Sequence, residues 1–134
     1  MSSPAQVKSH RDLVVWQKAM GLVEEVYSAT SSFPKEETYA LTSQIRRAVV
    51  SVPANIAEGQ GRRLSKEYLY FLANSRGSLL ELDTHLEIAV RLRYLHPNKH
   101  LGLKNHLDEV GRMLNGLMKS VEASSNVQHP TSNI

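Results

Sequence analysis

LTSQIRRAVVSVPANIAEGQGRR, residues 41–63, forms the centre of the predicted fold. Its apolar residues recur at steps of three and four, the spacing that places side chains on one face of a helix. They are Leu41, Ile45, Ala48, Val52 and Ile56. Val49 and Val50 add apolar surface beside that face, so we predict a helix that is buried on two sides. Because one bundle cannot cover all of this surface, we also predict a stable oligomer.

Pro53 lies inside this helical pattern. A proline has no N–H to donate to the carbonyl four residues earlier, here that of Val49, and its ring crowds that carbonyl. We therefore predict a kink or local break within a residue or two of Pro53. The Gly59-Gln60-Gly61 sequence predicts the end of the helix. It is not interpreted as a phosphate-binding loop, because it follows a helix and lacks the Gly-Lys-Ser/Thr ending.

Helical periodicity also covers the sequence before this segment. We predict a first helix that begins with Asp12 as its N-cap and ends near Thr30. Its predicted core positions are Leu13, Trp16, Met20, Val23 and Tyr27. Pro34 is predicted to open the second helix, whose first turn carries Glu36 and Glu37.

Two more helices are predicted after the central segment. The third begins with Ser65 as its N-cap and runs to about Arg93. Its predicted core positions are Leu72, Ser75, Leu79, Leu82, Leu86 and Ala89. Those of the fourth helix are Leu103, Leu107, Val110, Leu114, Leu117 and Val121.

Four amphipathic helices with short connections pack best as an antiparallel bundle. We therefore predict an all-α protein with one domain, an up-down-up-down four-helix bundle over residues 11–122. Residues 1–10 and residues 123–134 are polar and are predicted to be a disordered N-terminus and a disordered tail.

The composition restricts the possible functions. The chain has 134 residues, a formal net charge of +3 and no cysteine, which excludes disulfides, thiol catalysis and cysteine-ligated metals. It has no apolar run of about 18 residues that would span a membrane and no secretory signal, so we expect a cytoplasmic protein away from the membrane. Neither a Ser/His/Asp order nor a His-Glu-x-x-His pattern is present. We therefore expect no enzyme, no bound metal and no cofactor.

Basic residues cluster in and after the central segment. They are Arg46, Arg47, Arg62, Arg63 and Lys66, and the only acidic residue between the first and the last of them is Glu58. One interpretation is a patch that neutralises the phosphates of RNA or DNA. The other is a solvated helix face with ordinary surface ion pairs. Few aromatic residues accompany the cluster, which argues against stacking on single-stranded bases.

Gln44, Asn55 and Glu58 are polar residues on or beside the apolar helix. One interpretation makes Asn55 and Glu58 a functional site near the predicted kink. The other, which we favour, is a structural or interface network. Buried polar groups bond one another or an arginine in such a network, because leaving them unpaired is costly.

Three long phrases carry a resemblance to a known family. They are DLVVWQKAM (residues 12–20), FPKEETYALTSQIRRAVVSVPANIAEG (33–59) and FLANSRGSLLELDTHLEIAVRLRYL (71–95). Together they resemble the small four-helix-bundle proteins encoded in intervening sequences of bacterial large-subunit ribosomal RNA genes. The accessory variability proteins of diversity-generating retroelements belong to the same group. The resemblance implies a barrel-shaped homopentamer and, for the retroelement members, nucleic-acid binding and a reverse transcriptase partner.

These observations lead to one expected function and one alternative. We expect a non-enzymatic, oligomeric accessory protein that binds RNA or DNA through the basic residues between Arg46 and Lys66. The alternative is an oligomeric protein-interaction scaffold whose basic charge is incidental.

Overall fold

The computed structural model describes residues 7–128, which form four α-helices. They are α1 (Val14–Thr30), α2 (Leu41–Gln60), α3 (Ser65–Arg91) and α4 (Pro97–Gln128). Short 3-10 segments, His10–Asp12 and Lys35–Glu37, precede α1 and α2, and residues 7–128 contain no strand. The disorder predicted for residues 1–6 and 129–134 lies outside the described residues, whereas α4 extends past the predicted boundary at residue 122.

Each helix packs against the next one in the chain, and α4 closes the bundle against α1. Cross-helix contacts run in opposite directions along each pair, as expected for antiparallel neighbours. Along α2 and α3, for example, Ser51 contacts Ser78 whereas Gly59 lies against Phe71. Along α3 and α4, Arg76 contacts Asn115 whereas Asp83 contacts Lys104. The predicted all-α four-helix bundle is confirmed.

The core positions predicted for α2 and α3 are correct, and all eleven are buried. Those predicted for α1 are displaced by about one residue. Met20 and Tyr27 are exposed, and the buried side of α1 consists of Val15, Ala19, Leu22, Val26 and Thr30. The predicted positions form a helical stripe as regular as the observed one, so periodicity alone does not choose between two adjacent apolar faces.

The predicted helix starts require three corrections. Leu13 occupies the N-cap of α1, while the Asp12 carboxylate accepts hydrogen bonds from the backbone N–H groups of Lys8 and Ser9 in the preceding turn. Pro34 precedes the 3-10 segment Lys35–Glu37 rather than α2. Ser65 is the first residue of α3 and not its N-cap, which is Leu64. Extended leucines therefore replace the two predicted side-chain caps, and a 3-10 turn separates Pro34 from α2.

The local break predicted at Pro53 is not observed, because α2 continues from Leu41 to Gln60. Side chains supply hydrogen-bond donors to the carbonyls just before the proline. The Ser75 hydroxyl donates to the carbonyl of Val52 at 2.8 Å, and the Asn55 amide donates to that of Ser51 at 2.9 Å. Neither bond reaches the carbonyl of Val49, which Pro53 cannot serve as a donor.

The single chain covers more of α2 than the sequence predicts. Val49 and Val52 are both 0% exposed, and Val50 alone of the three valines reaches solvent, at 42%. The surface at Val49 and Val52 is therefore covered within the single chain, and of the three valines only Val50 still supports the predicted oligomer. The oligomer stays a prediction. At its end, α2 stops at Gln60 as predicted, although Gly61 has φ −77° and not the left-handed conformation of many glycine stops.

Candidate functional site

The structure separates the five basic residues into two groups. Arg46 and Arg47 lie in the first half of α2, whereas Arg62, Arg63 and Lys66 lie at the turn from α2 to α3. The helix between Arg47 and the end of α2 is about 20 Å long at 1.5 Å per residue. The cluster in the sequence is therefore not one continuous patch.

Arg46 is held against the end of α1. Its Nε donates to the Thr30 hydroxyl at 3.0 Å, and its Nη2 donates to the carbonyl of Tyr27 at 3.3 Å. The guanidinium carbon lies 4.4 Å from the centre of the Tyr27 ring, within the range of a cation–π contact. Arg47, one residue later, is exposed. Arg46 thus packs within the bundle and Arg47 faces solvent.

Two tyrosines, one of them distant in the sequence, lie beside these arginines. Tyr27 comes from α1 and Tyr39 from the segment before α2, and both line a surface groove with Arg46 and Arg47. Tyr39 is 96% exposed. The sequence argument that few aromatic residues accompany the basic cluster is therefore wrong for this half of α2. The spacing in the chain gives no signal for the Tyr27 contact, because packing of α1 on α2 creates it.

The second group lies at the end of the bundle where α2 turns into α3. Arg62 pairs with Glu58 at 3.0 Å, and its guanidinium carbon lies 4.7 Å from the centre of the Phe71 ring. Arg63 and Lys66 are exposed. Because α1 and α2 are antiparallel, the turn before α1 belongs to this same end.

That turn adds two exposed basic residues, Lys8 and Arg11, which the sequence argument missed. Lys8 was assigned to the disordered N-terminus, and Arg11 was placed just outside the first helix. The turn that holds them is built by Ser9 and Asp12. The Ser9 hydroxyl accepts from the backbone N–H of Arg11 at 3.1 Å, and the Asp12 carboxylate accepts from that of Ser9 at 3.2 Å. A Ser three residues before an acidic residue is a recognisable capping signal in the sequence.

Gln44, Asn55 and Glu58 do not meet in one site. Gln44 is exposed, and Glu58 pairs with Arg62 at the surface. Asn55 belongs to a polar network between α2 and α3, in which its amide donates to the Ser51 hydroxyl at 2.9 Å and that hydroxyl lies 2.8 Å from the hydroxyl of Ser78. These hydrogen bonds favour the interpretation of Asn55 as part of a structural network.

The shifted pKa values belong to groups that join elements of the bundle. Burial raises the pKa of Tyr68 to about 12. The hydrogen bond to Glu37, 3.0 Å long, raises the pKa of Tyr94 above its usual value. Hydrogen bonds to Asp108 and Asp83 raise the pKa of Lys104, although partial burial opposes them. The Lys104 contact to Asp83 connects α4 to α3, and the Tyr94 contact connects the turn after α3 to the segment before α2.

Other kinds of site are not found in the part of the chain that the structure describes. Within residues 7–128, no group of three or more His, Asp or Glu side chains is arranged to hold a metal ion. No helix over the same range is long and apolar enough to cross a membrane.

Comparisons with known proteins agree with the resemblance seen in the sequence. A search of curated protein sequences gave no match. The chain is similar to a crystal structure from Bacteroides thetaiotaomicron, described as a protein of unknown function from the S23 ribosomal protein family. The TM-score is 0.74 at 20% identity, over 79% of this chain and 96% of the other, which shows a shared fold.

The profile of the family described as 23S rRNA-intervening sequence protein matches residues 11–116. This range includes α1, α2 and α3 completely and most of α4. The chain therefore belongs to the 23S rRNA-intervening sequence protein family.

Proposed function

We propose that this protein is a non-enzymatic homo-oligomer that binds the phosphate backbone of RNA or DNA. The proposed surface is the end of the bundle formed by the turn before α1 and the turn between α2 and α3. We call it the basic end and define it by Lys8, Arg11, Arg62, Arg63 and Lys66. The observation that carries the proposal is that all five of these side chains are exposed at one end of the fold.

The balance of charge at the basic end supports phosphate binding. Three carboxylates accompany the five basic side chains there: Asp12, Glu58 and Glu67. Asp12 accepts two backbone hydrogen bonds, and Glu58 pairs with Arg62. Arg63, Lys66, Lys8 and Arg11 therefore supply more positive charge than the carboxylates neutralise, as expected of a surface that releases counterions from phosphates.

An oligomer would strengthen this binding. The family resemblance implies a homopentamer, in which five basic ends act on one nucleic acid and a net charge of +3 per chain is multiplied fivefold. Four leucine side chains that are half or more exposed are available for contacts between copies. They are Leu64, Leu80, Leu92 and Leu101. In the retroelement branch of the resemblance a reverse transcriptase would be a further partner.

A salt titration tests the proposal. The double variant Arg62→Ala with Arg63→Ala should weaken binding to duplex DNA and to structured RNA alike, because phosphate contacts carry little sequence information. It should also flatten the slope of log affinity against log salt by roughly two units per protomer engaged. The oligomer mass, measured by light scattering, should remain a multiple of 15.0 kDa and equal to that of the wild type.

A matched control is available at the opposite end of the bundle. Arg91 pairs with Glu87 four residues earlier, as Arg62 pairs with Glu58, and Lys99 is exposed nearby. The double variant Arg91→Ala with Lys99→Ala removes the same charge and should leave the slope close to that of the wild type. If the two double variants lose the same affinity, net charge rather than the basic end carries the binding. If the wild type does not bind at ~50 mM salt, where phosphate contacts are strong, the scaffold alternative replaces the proposal.

A further inference from the structure

The groove beside the first half of α2 combines aromatic and basic side chains. Its lining includes Tyr27, Tyr39, Thr42, Arg46 and Arg47, and we call it the tyrosine–arginine groove. Two arginines and no carboxylate lie among the residues that line it, so its charge favours an anionic ligand. The groove lies beside the first half of α2 and the end of α1. It is therefore separate from the basic end.

Tyr39 is the most exposed large apolar side chain of the described residues. It is 96% exposed, whereas Tyr27 is 40% exposed on the same groove. An aromatic ring that gains almost no contact from its own chain leaves both faces available to a planar group. Nucleic-acid bases that are not paired present such faces, and stacking on tyrosine is a common way to bind them.

Thr42 is a buried residue in the lining of the groove. It is 7% exposed, and its hydroxyl oxygen has no hydrogen-bond partner among the described residues. This oxygen is itself almost inaccessible, so it is not a contact for a ligand that enters the groove.

The two arginines differ in a way that suits a strand of nucleotides. Arg46 is fixed by Thr30 and Tyr27, so its guanidinium and the Tyr27 ring form a preorganised planar surface. Arg47 is exposed and has its five N–H donors on a long side chain that can reach a phosphate. A base on Tyr39 and a phosphate on Arg47 would use both features.

We propose that the tyrosine–arginine groove binds an unpaired strand of RNA or DNA, with Tyr39 stacked on a base and Arg47 paired with a phosphate. This inference rests on the proposed function and deepens it by naming the class of nucleic acid. The basic end then supplies binding to any phosphate backbone, while the groove supplies the preference for unpaired bases.

A charge-matched pair of ligands separates stacking from phosphate binding. The first is a fluorescein-labelled oligothymidylate of about 12 nucleotides, and the second is an abasic DNA strand with the same length and charge. In fluorescence anisotropy measurements, the wild type should bind the oligothymidylate about tenfold more tightly than the abasic strand. Tyr39→Ala should remove this difference by weakening binding to oligothymidylate alone.

Two further variants serve as controls for Tyr39→Ala. Tyr39→Phe retains the ring and should retain the preference for oligothymidylate. Tyr70→Ala removes a tyrosine that is 63% exposed on α3, outside the groove, and should behave like the wild type. Arg47→Ala should weaken binding to both ligands and lower the salt slope by about one unit per protomer.

The possible outcomes distinguish this inference from the proposed function. If the wild type binds both ligands equally, or if Tyr39→Ala keeps the preference, the groove is not a base-stacking site although the basic end still binds phosphates. If Tyr39→Ala lowers the oligomer mass by light scattering without changing the ratio of the two affinities, the groove is an interface between copies of the chain. Absence of binding to either ligand at ~50 mM salt would overturn both proposals together.

Discussion

The α2–α3 interface and the α1–α4 interface belong to one core but are stabilised by different interactions. Between α2 and α3 the backbones approach closely at small residues. A Cβ built on Gly59 would lie 2.9 Å from the Cβ of Phe71 and 3.1 Å from the carbonyl oxygen of Tyr68. The hydroxyl of Ser75, which is 0% exposed, donates to the carbonyl of Val52 across the same interface.

The α1–α4 interface carries charged groups at its rim. Lys18 pairs with Glu109 at 3.5 Å, with both side chains nearly half exposed. His106 reaches from α4 to α1, where its Nδ1 lies 2.9 Å from Glu25 and its Nε2 lies 3.1 Å from the carbonyl of Lys18. The α2–α3 interface depends on close packing, which tolerates little change in side-chain size. The α1–α4 rim depends on exposed ion pairs, which water and salt weaken.

The largest effect is expected from Gly59→Ala. The added methyl group meets a Cβ and a backbone carbonyl, neither of which can move without shifting α3. We expect a loss of about 2–3 kcal/mol in the free energy of unfolding, measured by chemical denaturation. Gly77→Ala on α3 is the matched control, because no atom lies within 4 Å of its Cβ. It should stabilise the protein by up to about 1 kcal/mol through helix propensity, and equal effects of the two variants would show that the α2–α3 approach is not tight.

The next effect is a loss of stability at alkaline pH. Burial raises the pKa of Tyr68 from 10.0 to about 12, so the folded protein favours the neutral phenol. This contribution is fully present below about pH 10, the pKa of an unfolded tyrosine, and is lost as the pH rises towards 12. We expect a decrease of about 1–2 kcal/mol after allowance for partial exposure. Tyr68→Phe should make the stability less dependent on pH in this window, and an unchanged pH profile would contradict the assignment to Tyr68.

A smaller effect is expected from Ser75→Ala. The variant removes a buried hydrogen bond of 2.8 Å beside Pro53 and leaves a small gap, which should cost about 1 kcal/mol of unfolding free energy. Ser78→Ala tests the half-buried edge of the same interface, where the Ser78 hydroxyl lies beside that of Ser51. Thermal denaturation of the two variants should rank Ser75→Ala as the less stable, and the reverse order would place the important hydrogen bond at the edge.

The smallest effects are expected at the α1–α4 rim. His106→Ala removes two hydrogen bonds from a mostly buried ring and should cost about 0.5–1 kcal/mol. Lys18→Ala breaks an exposed pair and should cost no more than about 0.5 kcal/mol. Repeating both denaturation curves in ~1 M salt should reduce these costs, since salt screens exposed charges. A cost for Lys18→Ala as large as that for Gly59→Ala would remove the contrast between the two interfaces.

Much of the fold could be predicted because helical periodicity is a local property. All the core positions assigned to α2 and α3 are buried, and the bundle follows from four such helices joined by short connections. The face of α1 could not be predicted in the same way. Met20 and Val26 are both apolar, and only packing against α2 and α4 buries Val26 while leaving Met20 exposed.

The candidate site was predicted less completely than the fold. The sequence placed Arg62, Arg63 and Lys66 in the basic cluster, and all three are exposed. It could not add Lys8 and Arg11, since their place at the same end follows from the antiparallel packing of α1 and α2. It also gave Arg46 and Arg47 the same role, whereas one is held against Tyr27 and the other is free to face solvent.

The sequence by itself determined the four helices, the buried faces of α2 and α3, the end of α2 at its glycines and the family. These features depend on residues a few positions apart, whose spacing is visible in one dimension. Only the tertiary structure decided that α2 passes through Pro53 without a break and that Tyr27 and Tyr39 lie beside Arg46 and Arg47. The position of Tyr27 depends on a contact between helices, because α1 supplies the ring that lies against Arg46.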